Sequence, residues 1–269
     1  MKSKINQKII ENKNKPSLIP FVVSGFPSLE VTKQLLKEFS NNDKISAIEV
    51  GIPFSDPLAD GPVIAKAAKE AIANGTNLSS IFEMLKEVKE DVSTPIILFS
   101  YVNPIVRMGI DTFFKKAEES GVSGLIIPDL PVEEADAFLE YCNKTNIDLI
   151  MLVAPTSDNQ RINKIVEVSK GFIYLVSSTG VTGVREGFSD MLSGLIKEIR
   201  SKTDVPVCVG FGVSKAIHIN ELKNMDVNGA IVGSAIVKLI DENKHTPDLI
   251  PVKLNEYIDS LFSANGIKA

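Results

Sequence analysis

Ile45-Ser-Ala-Ile-Glu49-Val-Gly-Ile-Pro-Phe-Ser-Asp-Pro-Leu-Ala-Asp60-Gly-Pro62 opens as a strand and closes as the start of a helix. Ile45, Ile48, Val50 and Ile52 are β-branched, and Gly51-Ile-Pro53 ends the run. Glu49 does not belong there on packing grounds, because burying an unpaired carboxylate costs about 2 kcal/mol or more. Side chains alternate along a strand, so Ala47, Glu49 and Gly51 share one face, and the small neighbours leave room around the carboxylate. A loop rich in Pro and Asp follows, with a second acid, Asp60, just before Gly61-Pro62 opens a helix. Two readings compete. Glu49 is a functional acid, or it is a paired interior acid with Asp56 and Asp60 as turn formers.

The same alternation of strand and helix runs outward in both directions. Strands are expected over 18–24, 45–52, 95–101, 124–128, 148–153, 172–177, 205–211 and 229–233. Helices are expected from Ser28, over 62–74 and 79–88, from Asp111, over 131–145 and 157–169, up to Arg200, from Ser214, and over 234–241 and 249–262. Ser80 with Glu83, and Ser157 with Gln160, read as capping boxes. Most strands are continuous apolar runs, as parallel strands covered on both faces should be. Eight such units in 269 residues, with no composition break, predict one α/β domain over 1–269. The expected fold is a (β/α)8 TIM barrel with its site at the C-terminal strand ends. An open doubly wound sheet is the alternative, but its phosphate loop should follow the first strand, and Ser24-Gly-Phe-Pro27 is no such loop.

Composition narrows the classes. Hydrophobic residues make up 44% and charged residues 23%, ordinary for a soluble globular protein. A net charge of −5 invites no nucleic acid. The Lys-rich N-terminus carries Ile5, Ile9 and Ile10 near helical spacing and reads as a short amphipathic lid helix. It lacks a signal peptide's apolar core, and no apolar run approaches the ~18 residues of a membrane span. Cys142 and Cys208 sit far apart in apolar segments, as buried free thiols of a reducing compartment do, so the expected location is cytoplasmic.

The expected strand ends offer Glu49, then Ser100, Tyr101 and Asn103, then Asp129, then Tyr174 and Ser177. The last two ends are Gly210-Phe-Gly212 and Gly233-Ser234, flanking a short helix. Gly-rich turns and a helix N-terminus present backbone N–H groups to phosphate, and barrels use this place for that purpose. The bland alternative is that these glycines only make tight turns. No expected strand holds a lysine for a Schiff base. The chain has 2 histidines, His218 and His245, and neither has a partner at metal-ligand spacing. Chemistry is left to carboxylates, with Tyr101 and Tyr174 as helpers or as packing residues.

Several motifs resemble one family, the tryptophan synthase alpha chains. They are the stretch from Ile48 to Pro62, Pro128-Asp-Leu-Pro131, Tyr174-Leu-Val-Ser177, Gly180-Val-Thr-Gly183, Gly210-Phe-Gly212 and Ile231-Val-Gly-Ser-Ala235, in order and over essentially the whole chain. The resemblance implies a carbon–carbon lyase of tryptophan biosynthesis that splits indole-3-glycerol phosphate into indole and glyceraldehyde 3-phosphate. It implies an alpha2beta2 assembly with a tryptophan synthase beta chain, which carries pyridoxal phosphate, while this chain carries no cofactor. Glu49 would be the catalytic acid/base and Asp60 would hold the indole N–H. Phe21, Phe99, Tyr101, Ile126, Tyr174, Thr182 and Phe211 would surround the substrate, and Gly183, Gly212, Gly233 and Ser234 its phosphate. Loops 53–61 and 178–187 would close over it. The family commonly has Arg where this chain has Ser178, so an interaction that orders the closing loop is either missing or supplied otherwise, with Arg185 the candidate. Two other readings are a stand-alone lyase without a beta partner and a non-catalytic activator of a beta chain. Intact Glu49 and Asp60 argue against the second.

Overall fold

The computed structural model describes residues 3–176, 186–210 and 212–263. After a first helix α1 (Lys4–Glu11), strands and helices alternate: β1 (Ser17–Val23), α2 (Leu29–Ser40), β2 (Ile48–Gly51), α3 (Pro62–Ala73), α4 (Leu78–Val88), β3 (Ile96–Phe99), α5 (Val102–Met108), α6 (Ile110–Glu119), β4 (Val122–Ile126) and α7 (Asp136–Thr145). The order continues with β5 (Asp148–Ile150), β6 (Leu152–Val153), α8 (Asn159–Val168), β7 (Ile173–Val176), α9 (Glu186–Arg200), β8 (Val207–Gly210), α10 (Ala216–Asn224), β9 (Gly229–Val232), α11 (Ser234–Asn243) and α12 (Ile250–Phe262). All described strand pairs are parallel, in the order β5-β4-β3-β2-β1-β9-β8-β7-β6. The two ends of that order, β5 and β6, are halves of one expected strand separated by Met151. The ring therefore closes through the chain itself, and the expected (β/α)8 barrel is observed.

The helices form where their apolar faces demand it. In α2, Val31, Leu35, Leu36 and Phe39 are buried on one face, and the Ser28 hydroxyl caps the start by accepting from the Val31 N–H. Both expected capping boxes are corrected. The helix over Leu78–Val88 is capped by Asn77, whose side chain accepts from the Ser79 and Ser80 N–H groups while Ser80 answers as the third helical residue. Asp158, not Ser157, caps α8, accepting from the Arg161 N–H at 2.7 Å, and the Ser157 hydroxyl accepts from the Ala154 N–H. A carboxylate accepts better than a hydroxyl at that position, so the chain starts its helix one residue later. Ile45 makes only an isolated bridge to Leu18, so β2 is shorter than expected. Helix α5 lies where no helix is expected, and its Pro104 falls in the first turn, where no N–H is needed.

The amphipathic first helix forms, but it covers the end of the barrel away from the site. Ile5 reaches the interior beside Gly124, where an added Cβ would lie 2.6 Å from Ile5 Cδ1. The Ser3 hydroxyl donates to the Asp148 carboxylate at the start of β5. Helix α1 thus packs under the starts of β4 and β5, and the C-terminal strand ends form the opposite mouth of the barrel.

Candidate active site

Glu49 lies mid-strand in β2, in register with Phe21 of β1 and Ile97 of β3, so all three side chains enter the barrel together. It is 1% exposed, and its Oε1 makes no hydrogen bond among the described residues. Burial pushes its carboxyl well above the ordinary range, which favours the protonated acid. Gly51 shares its face. An added Cβ there would stand 2.6 Å from Phe21 Cζ, so the absence of a side chain leaves room for the Phe21 ring against Gly51.

Aromatic rings climb from this floor to the mouth. Phe21 meets Phe99 edge to face, with centroids 5.7 Å apart, and Phe99 meets Tyr101 in the same way at 6.4 Å. Tyr101 in turn lies against Phe54 of the β2–α3 loop at 5.2 Å. Ile126 is fully buried at the end of β4, in register with Phe99. On the opposite wall, Tyr174 of β7 occupies space that Gly210 leaves open, since a Cβ at 210 would fall 2.3 Å from its hydroxyl. Burial raises the Tyr174 phenol, and the charges of Glu49 and Asp60 push it further the same way. Both acids therefore face a common interior, and Glu49 also acts on the buried thiol of Cys208.

Asp60 sits half-buried at the end of the β2–α3 loop. Burial raises its carboxyl, and a hydrogen bond from the Tyr101 hydroxyl at 3.1 Å opposes that rise. Asp129, in the turn after β4, accepts from the Val102 N–H at the start of α5 and has a structural part.

The two glycine-containing ends expected to bind phosphate follow β8 and β9, which are neighbours in the sheet. Gly212 takes φ +90°, a left-handed conformation that favours glycine. Gly233 precedes α11, whose first turn, beginning at Ser234, has no side-chain cap, so its first N–H groups are left without that partner. Sequence reasoning missed the braces beneath this turn. The Ser214 N–H donates to His218 Nδ1 at 3.1 Å, and the Tyr257 hydroxyl of α12 donates to the Ser214 carbonyl at 3.0 Å. No local signal marks Tyr257, 43 residues along the chain from its partner. Thr182, Gly183, Phe211, Ser178 and Arg185 lie outside the described residues. Among the described residues, no cluster of 3 or more His, Cys, Asp and Glu could hold a metal ion, and no helix is long and apolar enough to cross a membrane.

A parallel (β/α)8 barrel that brings two acids and two glycine-containing strand ends to one end has the form of a barrel enzyme. The family model described as tryptophan synthase alpha chain matches residues 8–264. A tryptophan synthase alpha chain of Arabidopsis thaliana is 42% identical over 255 residues, which is 95% of this chain and 92% of the relative. Among solved structures, the tryptophan synthase a2b2 complex of Pyrococcus furiosus contains a chain 38% identical, with TM-score 0.84, over 91% of this chain and 97% of that one. Tryptophan synthase subunit alpha of Campylobacter jejuni is 34% identical with TM-score 0.83, over 94% and 98%. The chain belongs to the tryptophan synthase alpha chain family.

Proposed function

We propose that this chain is a lyase that cleaves indole-3-glycerol phosphate into indole and glyceraldehyde 3-phosphate by a retro-aldol step. It does so in the cytoplasm, as the alpha subunit of an assembly with a beta chain. The observation that carries the reading is Glu49, a buried acid with an unpaired oxygen among aromatic rings. Such a group is costly for stability and well suited to proton transfer.

The protonated Glu49 delivers its proton to indole C3, which places positive charge on the ring. The resulting carboxylate removes the proton of the hydroxyl next to C3. That oxygen becomes the aldehyde oxygen, the C3–carbon bond breaks, and its electron pair restores the neutral indole. Glu49 ends protonated, as it began. Asp60 accepts the indole N–H, and its negative charge stabilises the cationic ring. Phe21, Phe99, Ile126 and Tyr174 hold the ring and exclude water. Gly212, Gly233 and Ser234 hold the phosphate with backbone N–H groups. None of these steps calls on a cofactor in this chain; pyridoxal phosphate belongs to the beta partner. Support for that partner comes from the a2b2 complex of the Pyrococcus furiosus relative.

Indole release by the isolated chain, with and without a beta chain, tests the proposal. Release that rises with the beta chain supports it. No release in either condition, while the chain still activates a beta chain, refutes a catalytic role.

A further inference from the structure

We propose that Tyr101 is a positioning residue for Asp60: its hydroxyl pins the loop between β2 and α3 to the barrel wall and holds the Asp60 carboxylate at the mouth. This rests on the part given to Asp60 above. Tyr101 follows β3 by two residues and is 2% exposed. Its oxygen accepts from the Ala59 N–H at 3.0 Å and donates to Asp60 Oδ2 at 3.1 Å. A phenol has a single O–H to donate. That donor is committed to Asp60, so the hydroxyl serves the loop and has no donor for substrate.

The ring is fixed as firmly as the hydroxyl. Phe99 meets it edge to face from the wall, and Phe54 tilts against it at 33° from the loop. Phe54, Ala59 and Asp60 therefore hold to one side chain, while Ser55, Asp56 and Leu58 between them are exposed. The loop has no regular structure of its own, so Tyr101 supplies the order that a helix or strand would otherwise give.

The hydrogen bond also has an electrostatic consequence. Among the described residues, Tyr101 is the group that favours the ionised form of Asp60 against burial. Asp129 lies beyond Tyr101, and Glu49 and Asp60 both act on Tyr174 across the barrel, so the charged neighbours are themselves acids. Without the phenol O–H, the Asp60 carboxyl loses its hydrogen bond and gains protons more readily.

The test uses the full chain labelled with ¹³C at aspartate carboxyls and tyrosine Cζ, with the Asp60 signal assigned by Asp60→Asn. In the unsubstituted chain, the Tyr101 Cζ resonance should follow the Asp60 titration. In Tyr101→Phe, which keeps the ring, the Asp60 midpoint should rise by about one unit. Turnover should fall about tenfold on the acid side of the profile and recover toward the parent at higher pH. A Tyr101 Cζ signal that ignores Asp60, or an Asp60 midpoint unmoved in Tyr101→Phe, overturns the proposal. The same holds for a turnover loss uniform across pH, which would mark a direct substrate contact. Unchanged turnover in Asp60→Asn would instead sink the role given to Asp60. It is told apart because the two NMR readouts do not depend on activity.

Discussion

The Glu49→Gln substitution separates the stability cost of the buried acid from its use. In the folded chain the carboxyl is raised by burial and has an unpaired oxygen, whereas in the unfolded chain it titrates near 4.3. Between those two values the folded state holds one proton that the unfolded state has lost. The stability associated with the neutral acid is then fully present below the unfolded value and falls as pH rises toward the folded one. The slope approaches about 1.4 kcal/mol per pH unit, a factor of ten in the folding equilibrium for each unit. Glutamine keeps the shape and cannot ionise, so this component is absent from the variant. Urea unfolding at a series of pH values from 5 upward should show the parent losing stability relative to Glu49→Gln at that slope. Indole release should fall by ~10²-fold or more in the variant. Parallel stability curves for parent and variant would show that the acid is not held neutral by burial, and turnover within a few-fold of the parent would end its acid/base role.

Gly233→Val puts a branched side chain at the entry to α11, its Cβ 3.5 Å from Phe21, so the KM for the phosphate-bearing substrate should rise about tenfold or more and a phosphate-free indole analogue should lose less affinity; equal losses for both would move the phosphate elsewhere. Gly51→Ala forces a Cβ to within 2.6 Å of Phe21 Cζ, and the strain should destabilise the chain by about 1–3 kcal/mol, read as a lower Tm in thermal melts. Tyr257→Phe leaves the Ser214 carbonyl without its 3.0 Å partner, with an expected cost of about 1 kcal/mol in urea unfolding and a few-fold rise in KM at unchanged kcat.

Much of the architecture was legible in the chain because it depends on local periodicity. The apolar strand runs, the helix faces such as Leu35, Leu36 and Phe39, and the order of units follow from burial patterns that repeat every two residues or every turn. Glu49 stood out for the same reason, as a carboxylate at an apolar position between Ala47 and Gly51. Element ends were less legible. Asn77 and Ser80, or Asp158 and Ser157, compete for one cap, and the choice turns on hydrogen-bond geometry at a single residue. What only the tertiary structure decided is pairwise and distant. Gly51 leaves room beside Glu49 on the strand face, and in the fold the Phe21 ring takes that room. Gly210 belongs to a glycine-rich strand end, and it also makes space for Tyr174. Tyr101 stands at a strand end among the expected substrate contacts, and its hydroxyl goes to Asp60, 41 residues away. A side chain's own sequence neighbourhood carries its preference for burial, but a single donor or a single missing Cβ finds its partner only when the barrel closes and brings distant strand ends to one mouth.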